Sequence, residues 1–272
     1  MPLNSVGKIG FVGGGNMAEA FVKGLLNGNF TAEDIYFFEP HEPRRTTMVE
    51  RYGITSAADN KALVSACDVV VLAIKPQIVE RVVSDFAPEW NPEALLISIL
   101  AGVTTEALES MIGKKAHVIR AMPNTPALVD EAASALCPGS QVDAQHRELA
   151  QQLFETVGTV VWVDENQMDA VTGLSGSGPA FVYTFIEALT AGGVQEGLRL
   201  DVAHSLAVQT VFGAARLVKE SGEHPALLRE KVCSPGGTTI SAIRVLEERG
   251  LRATLMEAVG SATKRSKELG EK

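Results

Sequence analysis

Residues 8–18 read Lys-Ile-Gly-Phe-Val-Gly-Gly-Gly-Asn-Met-Ala, an apolar run followed by a glycine-rich turn and a helix start. Gly13 permits a tight turn, Gly15 lets the backbone approach a pyrophosphate, and Ala18 allows close packing of helix on strand. The free N–H groups at a helix start attract negative charge. The stretch therefore predicts dinucleotide binding. The candidate pyrophosphate-binding residues are Gly13, Gly14, Gly15, Asn16, Met17 and Ala18.

The first half of the chain alternates short β-branched runs with amphipathic runs. Predicted strands are 8–12, 35–38, 69–74, 95–100 and 117–122, and predicted helices are 17–27, 43–52, 61–66, 78–86 and 105–111. Several strands are apolar on both faces, which is typical of a parallel sheet covered on both sides. The pattern predicts an α/β fold, a Rossmann-type doubly wound parallel sheet over residues 1–164. Further strands at 132–137 and 159–163 are expected at its edge.

From residue 165 onward only helical patterns remain. They cover 179–193, 202–221, 226–232, 240–249 and 251–269. Alanine, glycine and leucine dominate the first two, and much of the resulting surface is too apolar for solvent. We expect residues 165–272 to form an all-α domain that buries one face against a partner subunit. The alternative is a self-contained helical bundle.

Composition limits the classes of partner. The chain has 272 residues, 46% of them hydrophobic, and a net charge of −9, which argues against general binding of nucleic acid or an anionic membrane. No signal peptide or membrane-spanning run is found. Cys67, Cys137 and Cys233 form no CxxC pair, which predicts free thiols and a cytoplasmic location. The five histidines have no metal-ligand spacing, so we expect no metal site.

A second glycine-rich turn lies near the other end of the chain. Residues 234–239 read Ser-Pro-Gly-Gly-Thr-Thr and precede a helical run. Backbone amides there can hold a carboxylate, while a hydroxyl bonds a substrate nitrogen or oxygen. A routine helix cap needs only one such residue, so six together favour ligand binding. We expect an inert rather than reactive thiol at the neighbouring Cys233.

The acid that ends the second predicted strand, Glu39, bears on coenzyme choice. An acid at this position accepts from the ribose hydroxyls of NADH and repels the 2′-phosphate of NADPH. Arg44 and Arg45 follow closely, and either one could bind that phosphate. A solvated glutamate beside a basic turn is the alternative. The sequence leaves the preference between NADPH and NADH open.

Other candidates lie where the predicted strands end, because ligands bind at the carboxyl ends of parallel strands. Residues 73–76 read Ala-Ile-Lys-Pro, and Lys75 could reach a phosphate or the nicotinamide ribose. Residues 101–102, Ala-Gly, leave a gap for a flat nicotinamide ring. Residues 122–126, Met-Pro-Asn-Thr-Pro, belong at the same crevice. The alternatives are an ordinary surface lysine and purely structural turns.

Residues 173–179, Gly-Leu-Ser-Gly-Ser-Gly-Pro, superficially suggest a serine hydrolase. The residue two beyond Ser175 is Ser177 rather than glycine, so the GxSxG spacing fails. No predicted strand leads into the segment, as a nucleophile elbow requires. We expect close backbone packing there instead.

Taken together, these motifs make the chain resemble the pyrroline-5-carboxylate reductase family nearly end to end. The matching segments are 13–18, 73–76, 124–126, 169–180 and 234–239. The resemblance implies a Rossmann domain and a helical domain that interlocks two subunits, in homodimers that often form decamers. In the family, active sites lie between one subunit's coenzyme domain and helices involving its partner. The implied substrate is 1-pyrroline-5-carboxylate and the implied product is L-proline.

The matched positions and the crevice residues give the full candidate site. Besides residues 13–18, the candidate coenzyme-binding residues are Glu39, Asn60, Ala73, Ile74, Lys75, Pro76 and Ala101. The candidate substrate-binding residues are Glu165, Ser234, Gly237, Thr238 and Thr239, with Thr239 as the catalytic candidate. Family usage favours NADPH, whereas Glu39 stands where many relatives have a small or hydroxyl residue and favours NADH. Lys231 stands where some relatives carry an uncharged amide.

The resemblance implies hydride transfer to the C5 carbon of the imine. Amides at Gly237 and Thr238 are expected to hold the carboxylate, and the Thr239 hydroxyl to orient the ring nitrogen and relay its proton. Two alternatives are another imine or 2-hydroxyacid reductase of the same fold, and a dinucleotide-binding sensor that turns nothing over.

Overall fold

The computed structural model describes residues 7–28, 30–113 and 115–270. Its strands are β1 Ile9–Val12, β2 Ile35–Phe38, β3 Thr55–Ser56, β4 Val69–Leu72, β5 Leu95–Ser98, β6 His117–Met122, β7 Ala132–Pro138 and β8 Gly158–Trp162. They form one eight-stranded sheet in the order β3-β2-β1-β4-β5-β6-β7-β8. Every pairing is parallel except β6 with β7, which run antiparallel.

Helices make up most of the remaining regular structure. They are α1 Asn16–Asn27, α2 Glu42–Tyr52, α3 Asn60–Ala66, α4 Val79–Phe86, α5 Thr105–Ile112, α6 Ala144–Glu155, α7 Met168–Val171, α8 Gly178–Gln195, α9 Leu200–Ser221, α10 Pro225–Lys231, α11 Thr238–Glu248 and α12 Leu251–Gly270. A single π-turn, Thr172–Gly176, connects α7 to α8. None of the helices within the described ranges is long and apolar enough to cross a membrane.

The sheet is buried on both faces, as predicted. All four residues of β1, β4 and β5 are buried. One apolar core joins Phe11 of the sheet to Phe21 of α1 and Phe154 of α6. The rings of Phe21 and Phe154 meet edge to face, with centroids 4.7 Å apart. A second core packs Val70 against Phe86 of α4 and its neighbours, so the doubly wound architecture is confirmed.

The crevice follows from the strand order. β1 pairs with β2 on one side and with β4 on the other, so the chain reverses its winding direction between β1 and β4. Ligands of doubly wound sheets bind at this switch point, beyond the carboxyl ends of the strands. Backbone bonds fix the loops there: Gly13 donates to the Phe38 carbonyl and Ala73 to the Val12 carbonyl, each at 2.9 Å.

The predicted elements of the first half are confirmed, with differences at their ends. β4 and β5 end at Leu72 and Ser98, two residues earlier than expected, because the following residues leave the ladder to form the crevice loops. The antiparallel direction of β7 was not predicted. Three elements were missed, the short β3 and the helices α6 and α7. α6 has a sequence signal, since Asp143 caps its first amides and Ala150, Leu153 and Phe154 share its buried face.

The chain divides into two compact units. One runs to Ser177 and takes in the end of the chain from Ser261, while the other is Gly178–Gly260. This division falls later than the boundary expected between residues 164 and 165, which stays a prediction. The second unit contains only helices within the described residues, as expected. Its helices expose large apolar side chains, among them Tyr183, Phe185, Leu206, Phe212 and Leu217.

Candidate active site

The turn after β1 is shaped by its three glycines, each for a different reason. Gly13 has φ +101°, and a Cβ there would lie 2.6 Å from the Ala73 carbonyl oxygen, so only glycine fits. A Cβ on Gly14 would lie 3.0 Å from the Cβ of Glu39. Gly15 differs, because a Cβ added there would have no atom within 4 Å. The chain's own packing does not require glycine at 15, and a side chain would fill the open space of the cradle.

The cradle suits an anion. α1 begins at Asn16 without a side-chain cap, so its first amides have no side-chain acceptor. Ala18 is fully buried and packs the helix against the sheet, as its position in the motif predicts. An open glycine, uncapped amides and the positive end of a helix dipole fit the pyrophosphate of a dinucleotide.

The glycine turn is held by residues beyond β2. The Glu39 carboxylate accepts from the backbone N–H of Gly14 and from that of His41, each at 3.0 Å. Arg44 Nε donates to the Gly14 carbonyl at 2.6 Å, and Arg45 Nη1 donates to the Glu39 carbonyl at 2.9 Å. Both polar groups of the Gly14 backbone are therefore bonded to charged side chains.

The other end of Arg44 belongs to a network around Glu19. The Glu19 carboxylate accepts from Arg44 at 2.6 Å, from Arg51 at 2.9 Å and from the Tyr52 hydroxyl at 2.7 Å. Burial acts to raise the pKa of Glu19, but the hydrogen bonds from Tyr52 and Arg44 outweigh it, so the pKa is lowered. Sequence reasoning missed this network, because Glu19 and its partners are more than twenty residues apart in the chain.

The remaining coenzyme candidates follow the carboxyl ends of neighbouring strands, except Asn60, which begins a helix. Lys75 is exposed and precedes the 3₁₀ turn Pro76–Ile78, while Ala73 and Ile74 are half-buried at the end of β4. Ala101 follows β5. Asn60 begins α3, and its Oδ1 atom is buried with no hydrogen-bond partner among the described residues. A buried acceptor without a donor is costly, so Asn60 suits a ligand that donates.

Glu165 lies in a compact polar cluster of the first unit. Its Oε1 pairs with Arg120 Nη1, and its Oε2 accepts from the backbone N–H of Thr105 at 3.1 Å and the Thr105 hydroxyl at 2.7 Å. The Cys137 thiol lies 3.7 Å from the same oxygen. Both oxygens of this predicted substrate-binding residue are thus engaged within the chain, while 34% of its side chain stays exposed.

The charge states of this cluster follow from its contacts. Burial acts to raise the pKa of Glu165, but the hydrogen bonds from Thr105 and Arg120 outweigh it, so the pKa is lowered. Burial and the neighbouring Glu165 charge raise the pKa of the Cys137 thiol to about 12. At neutral pH the cluster therefore holds an ionised carboxylate and an inert thiol. Arg120 was missed, although an arginine inside the apolar run 117–122 was its signal.

The segment 173–179 does not form a nucleophile elbow. Ser175 Oγ donates to the Val171 carbonyl at 3.1 Å, within its own helical stretch. The Asn124 side chain donates to the Ser175 carbonyl at 3.0 Å and accepts from the Ala133 N–H at 3.0 Å. The loop after β6 therefore holds the π-turn in place, which agrees with the expectation of close backbone packing.

The second glycine turn lies in the other compact unit. Gly236 has φ +67°, and Gly237 donates to the Ser234 carbonyl at 3.0 Å. A Cβ on Gly237 would lie 2.2 Å from Ser234 Oγ. Gly237 caps α11 without a side chain, so the first-turn amides at Thr238 and Thr239 have no side-chain acceptor. Lys231 is paired with Glu223 at 2.5 Å.

These features define the class of the protein. A doubly wound sheet with a glycine cradle at its switch point, followed by an all-α region, is the architecture of Rossmann-type nicotinamide dinucleotide oxidoreductases. A family model described as pyrroline-5-carboxylate reductase dimerisation matches residues 165–269. A second, described as NADP oxidoreductase, coenzyme F420-dependent, matches residues 8–102.

Similar proteins cover nearly the whole chain. A pyrroline-5-carboxylate reductase from Synechocystis is 45% identical over 97% of this chain and 99% of that one, and the Escherichia coli enzyme is 37% identical over 97% and 98%. The chain belongs to the pyrroline-5-carboxylate reductase family. A solved Coxiella burnetii reductase is 38% identical, covering 97% and 99% of the two chains, with a TM-score of 0.92. The Plasmodium falciparum enzyme, solved with NADP bound, is 32% identical, covering 98% and 99%, with a TM-score of 0.88.

The lowered pKa of Glu165 predicts an acid-sensitive contribution to stability. The unfolded chain binds a proton at this carboxyl near the ordinary value of 4.5, while the folded chain does so only at lower pH. The contribution is therefore complete above pH 4.5 and is lost as pH falls through the folded-state pKa. Glu165→Gln should lower the free energy of unfolding most at neutral pH, and the gap to the wild type should narrow below pH 4.5.

Urea unfolding of both proteins across the acid range measures this gap. Glu50→Gln, which removes one exposed carboxylate on α2, is the matched control and should change stability little. A gap for Glu165→Gln that stays constant with pH would contradict the interpretation.

Proposed function

We propose that this chain reduces 1-pyrroline-5-carboxylate to L-proline, the last step of L-proline biosynthesis, with NADPH or NADH as coenzyme. The observation that carries the proposal is the 45% identity to a curated reductase over 97% of the chain. That match extends over both glycine turns rather than the nucleotide turn alone. The free thiols of Cys67, Cys137 and Cys233 support a reducing, cytoplasmic compartment.

The coenzyme site is proposed from the residues of the first unit. The amides that follow Gly15 would hold the pyrophosphate, and Asn60 and Lys75 would contact the adenosine and nicotinamide halves. Ala101 would offer a flat surface to the ring. When bound, a reduced nicotinamide supplies the hydride that the C5 carbon of the imine accepts.

Substrate binding is assigned to residues 234–239, supported by the open first turn of α11. The amide of Thr238 binds the carboxylate, whereas the Gly237 amide, which was also expected to bind it, donates to the Ser234 carbonyl and fixes the turn. The Thr239 hydroxyl donates to the ring nitrogen once the C=N electron pair has moved onto it, and relays a proton from water. Holding the reacting atoms in place contributes on the order of 7–11 kcal/mol to lowering the barrier.

The charge state of Glu165 supports the choice of Thr239 as the proton relay. A carboxyl that is ionised at neutral pH and bonded to Arg120 and Thr105 has no proton to give. Glu165 therefore stays in the proposal as an ionised substrate-binding residue, not as a general acid.

The assembly is proposed as a homodimer joined through the helical region, with dimers assembling further into a decamer. The exposed apolar side chains of α8 and α9 support this, since a soluble monomer rarely leaves so many uncovered. Neither nucleic acid nor a membrane is a proposed partner.

The reaction itself is tested by following oxidation of the reduced coenzyme. We expect turnover with 1-pyrroline-5-carboxylate and L-proline as the product, and little turnover with 2-keto acids. Preference for a 2-keto acid would identify a hydroxyacid reductase of the same fold. Coenzyme binding without oxidation on any of these substrates would favour a sensor.

The role of Thr239 is tested by removing its hydroxyl. Thr239→Ala should lower kcat/KM by about 10²-fold, a typical loss for one general acid–base group, and leave coenzyme affinity nearly unchanged. Thr239→Ser keeps the hydroxyl and should retain most of the activity. Full turnover in Thr239→Ala would remove this residue from the mechanism.

Coenzyme preference is proposed to favour NADH. The Glu39 carboxylate is fixed at the glycine turn, where it would accept from ribose hydroxyls and repel a 2′-phosphate. Arg44 is tied to Gly14 and to Glu19, so it is not placed as a free cation for that phosphate. Arg45 could still bind a 2′-phosphate and so favour NADPH. It is a weak candidate for that role, because it donates to the Glu39 carbonyl.

The preference is measured as kcat/KM with each coenzyme. Glu39→Ser should shift the ratio towards NADPH by roughly tenfold, the factor that about 1.4 kcal/mol of repulsion represents. Glu42→Ser removes a nearby exposed charge that does not contact Gly14 and should leave the ratio unchanged. An unchanged ratio in Glu39→Ser would show that Glu39 does not read the 2′ position.

A further inference from the structure

Three polar side chains lie side by side on the neighbouring strands β5, β6 and β7. Arg120 of β6 lies directly opposite Ser98 of β5 on one side and Cys137 of β7 on the other. The Arg120 side chain is only 3% exposed. Residues paired in register point to the same face of a sheet, so these three side chains share one face.

Stability alone does not account for Arg120. Its Nη1 pairs with Glu165, but its Nε and Nη2 atoms are buried without a hydrogen-bond partner in the part of the chain that is described. Buried donors without acceptors are costly, and a buried ion pair often stabilises a fold less than apolar residues of the same size. We therefore expect the Arg120–Glu165 pair to hold a part of the backbone in position.

The Arg120–Glu165 pair holds the start of α5 in position. Thr105 is the first residue of α5, and its amide and hydroxyl both donate to Glu165. The carboxylate is therefore a bridge between the buried Arg120 of β6 and the positive end of α5. The β5–α5 loop, residues 99–104, ends at this bridge and contains Ala101.

We propose that Arg120 is a positioning residue for hydride transfer: it holds Glu165 against the first turn of α5 and so fixes the β5–α5 loop that would face the nicotinamide. This inference rests on the proposed function. The groups that surround Glu165 are Arg120 from β6, Cys137 from β7, the Thr105 amide and hydroxyl from α5, and Asp164 beside it in the chain.

The kinetic test compares Arg120→Met with the wild type over pH. Loss of the cation should raise the pKa of Glu165, so the acid limb of kcat/KM should move up by about 1–3 pH units. kcat should fall by about 10²-fold at neutral pH, because small displacements at the reacting atoms cost that much. KM for the imine should change less than kcat, since residues 234–239 are untouched and Glu165 is the one candidate substrate-binding residue that contacts Arg120.

Three further variants sharpen the test. Arg120→Lys keeps the charge without the planar guanidinium and should restore the acid limb while recovering only part of kcat. In the double variant Arg120→Met/Glu165→Gln the shifted limb should vanish, because its titrating group is gone. Arg147→Met removes an exposed arginine on α6 and should change neither quantity.

A second readout needs no coenzyme and no turnover. Hydrogen exchange of peptides covering residues 99–107 should be faster in Arg120→Met and in Thr105→Val than in the wild type or Arg147→Met. If Arg120→Met does not fold, exchange in Thr105→Val and Arg120→Lys is compared with the wild type instead.

Unchanged exchange of residues 99–107 together with an unmoved acid limb would overturn the proposal, even if kcat fell. Failure of the proposed function is distinguishable, because the wild type would then not reduce the imine, while the exchange experiment would still report on the loop.

Discussion

The sharp turn of the backbone at the end of β1 is the constraint on which the rest of the structure depends. Gly13 adopts a left-handed conformation, and a Cβ there would lie 2.6 Å from the Ala73 carbonyl oxygen, so glycine is needed for the chain to leave the sheet and enter α1 at once. This close approach joins the ends of β1 and β4 at the switch point. The open space at Gly15 and the uncapped start of α1 follow from that placement.

Two ionised carboxylates of the first unit hold backbone segments in place, and each of them is paired with an arginine. Glu19 binds Arg44, which holds the Gly14 carbonyl, while Glu165 binds Arg120 and the start of α5. In both clusters burial opposes ionisation and hydrogen bonds outweigh it. Charge pairing thus orients the side chains that bond the Gly14 backbone and the start of α5.

Much of the fold was predictable from the sequence, because each strand and helix of the first half carries a local pattern. The apolar runs, the glycine turn and the absence of strand patterns after residue 165 were sufficient to predict the architecture. The short β3 and the helix α6 were missed, the first because two residues carry no periodicity, the second although Asp143 marked its start. The places of most candidate coenzyme residues at strand ends were predictable, because they follow strands in the chain, and their binding of the coenzyme stays a prediction. The contacts of Arg120, Thr105 and Glu19 were not.

The sequence by itself determined the doubly wound sheet, the position of the glycine cradle and membership of the family, since these depend on local spacing and composition. Only the tertiary structure decided that Glu39 bonds the glycine turn, that Arg44 is occupied, and that Glu165 is paired with a buried arginine. The physical reason is distance along the chain. These contacts join residues 25 to 45 positions apart, and only the strand order brings them within hydrogen-bond range.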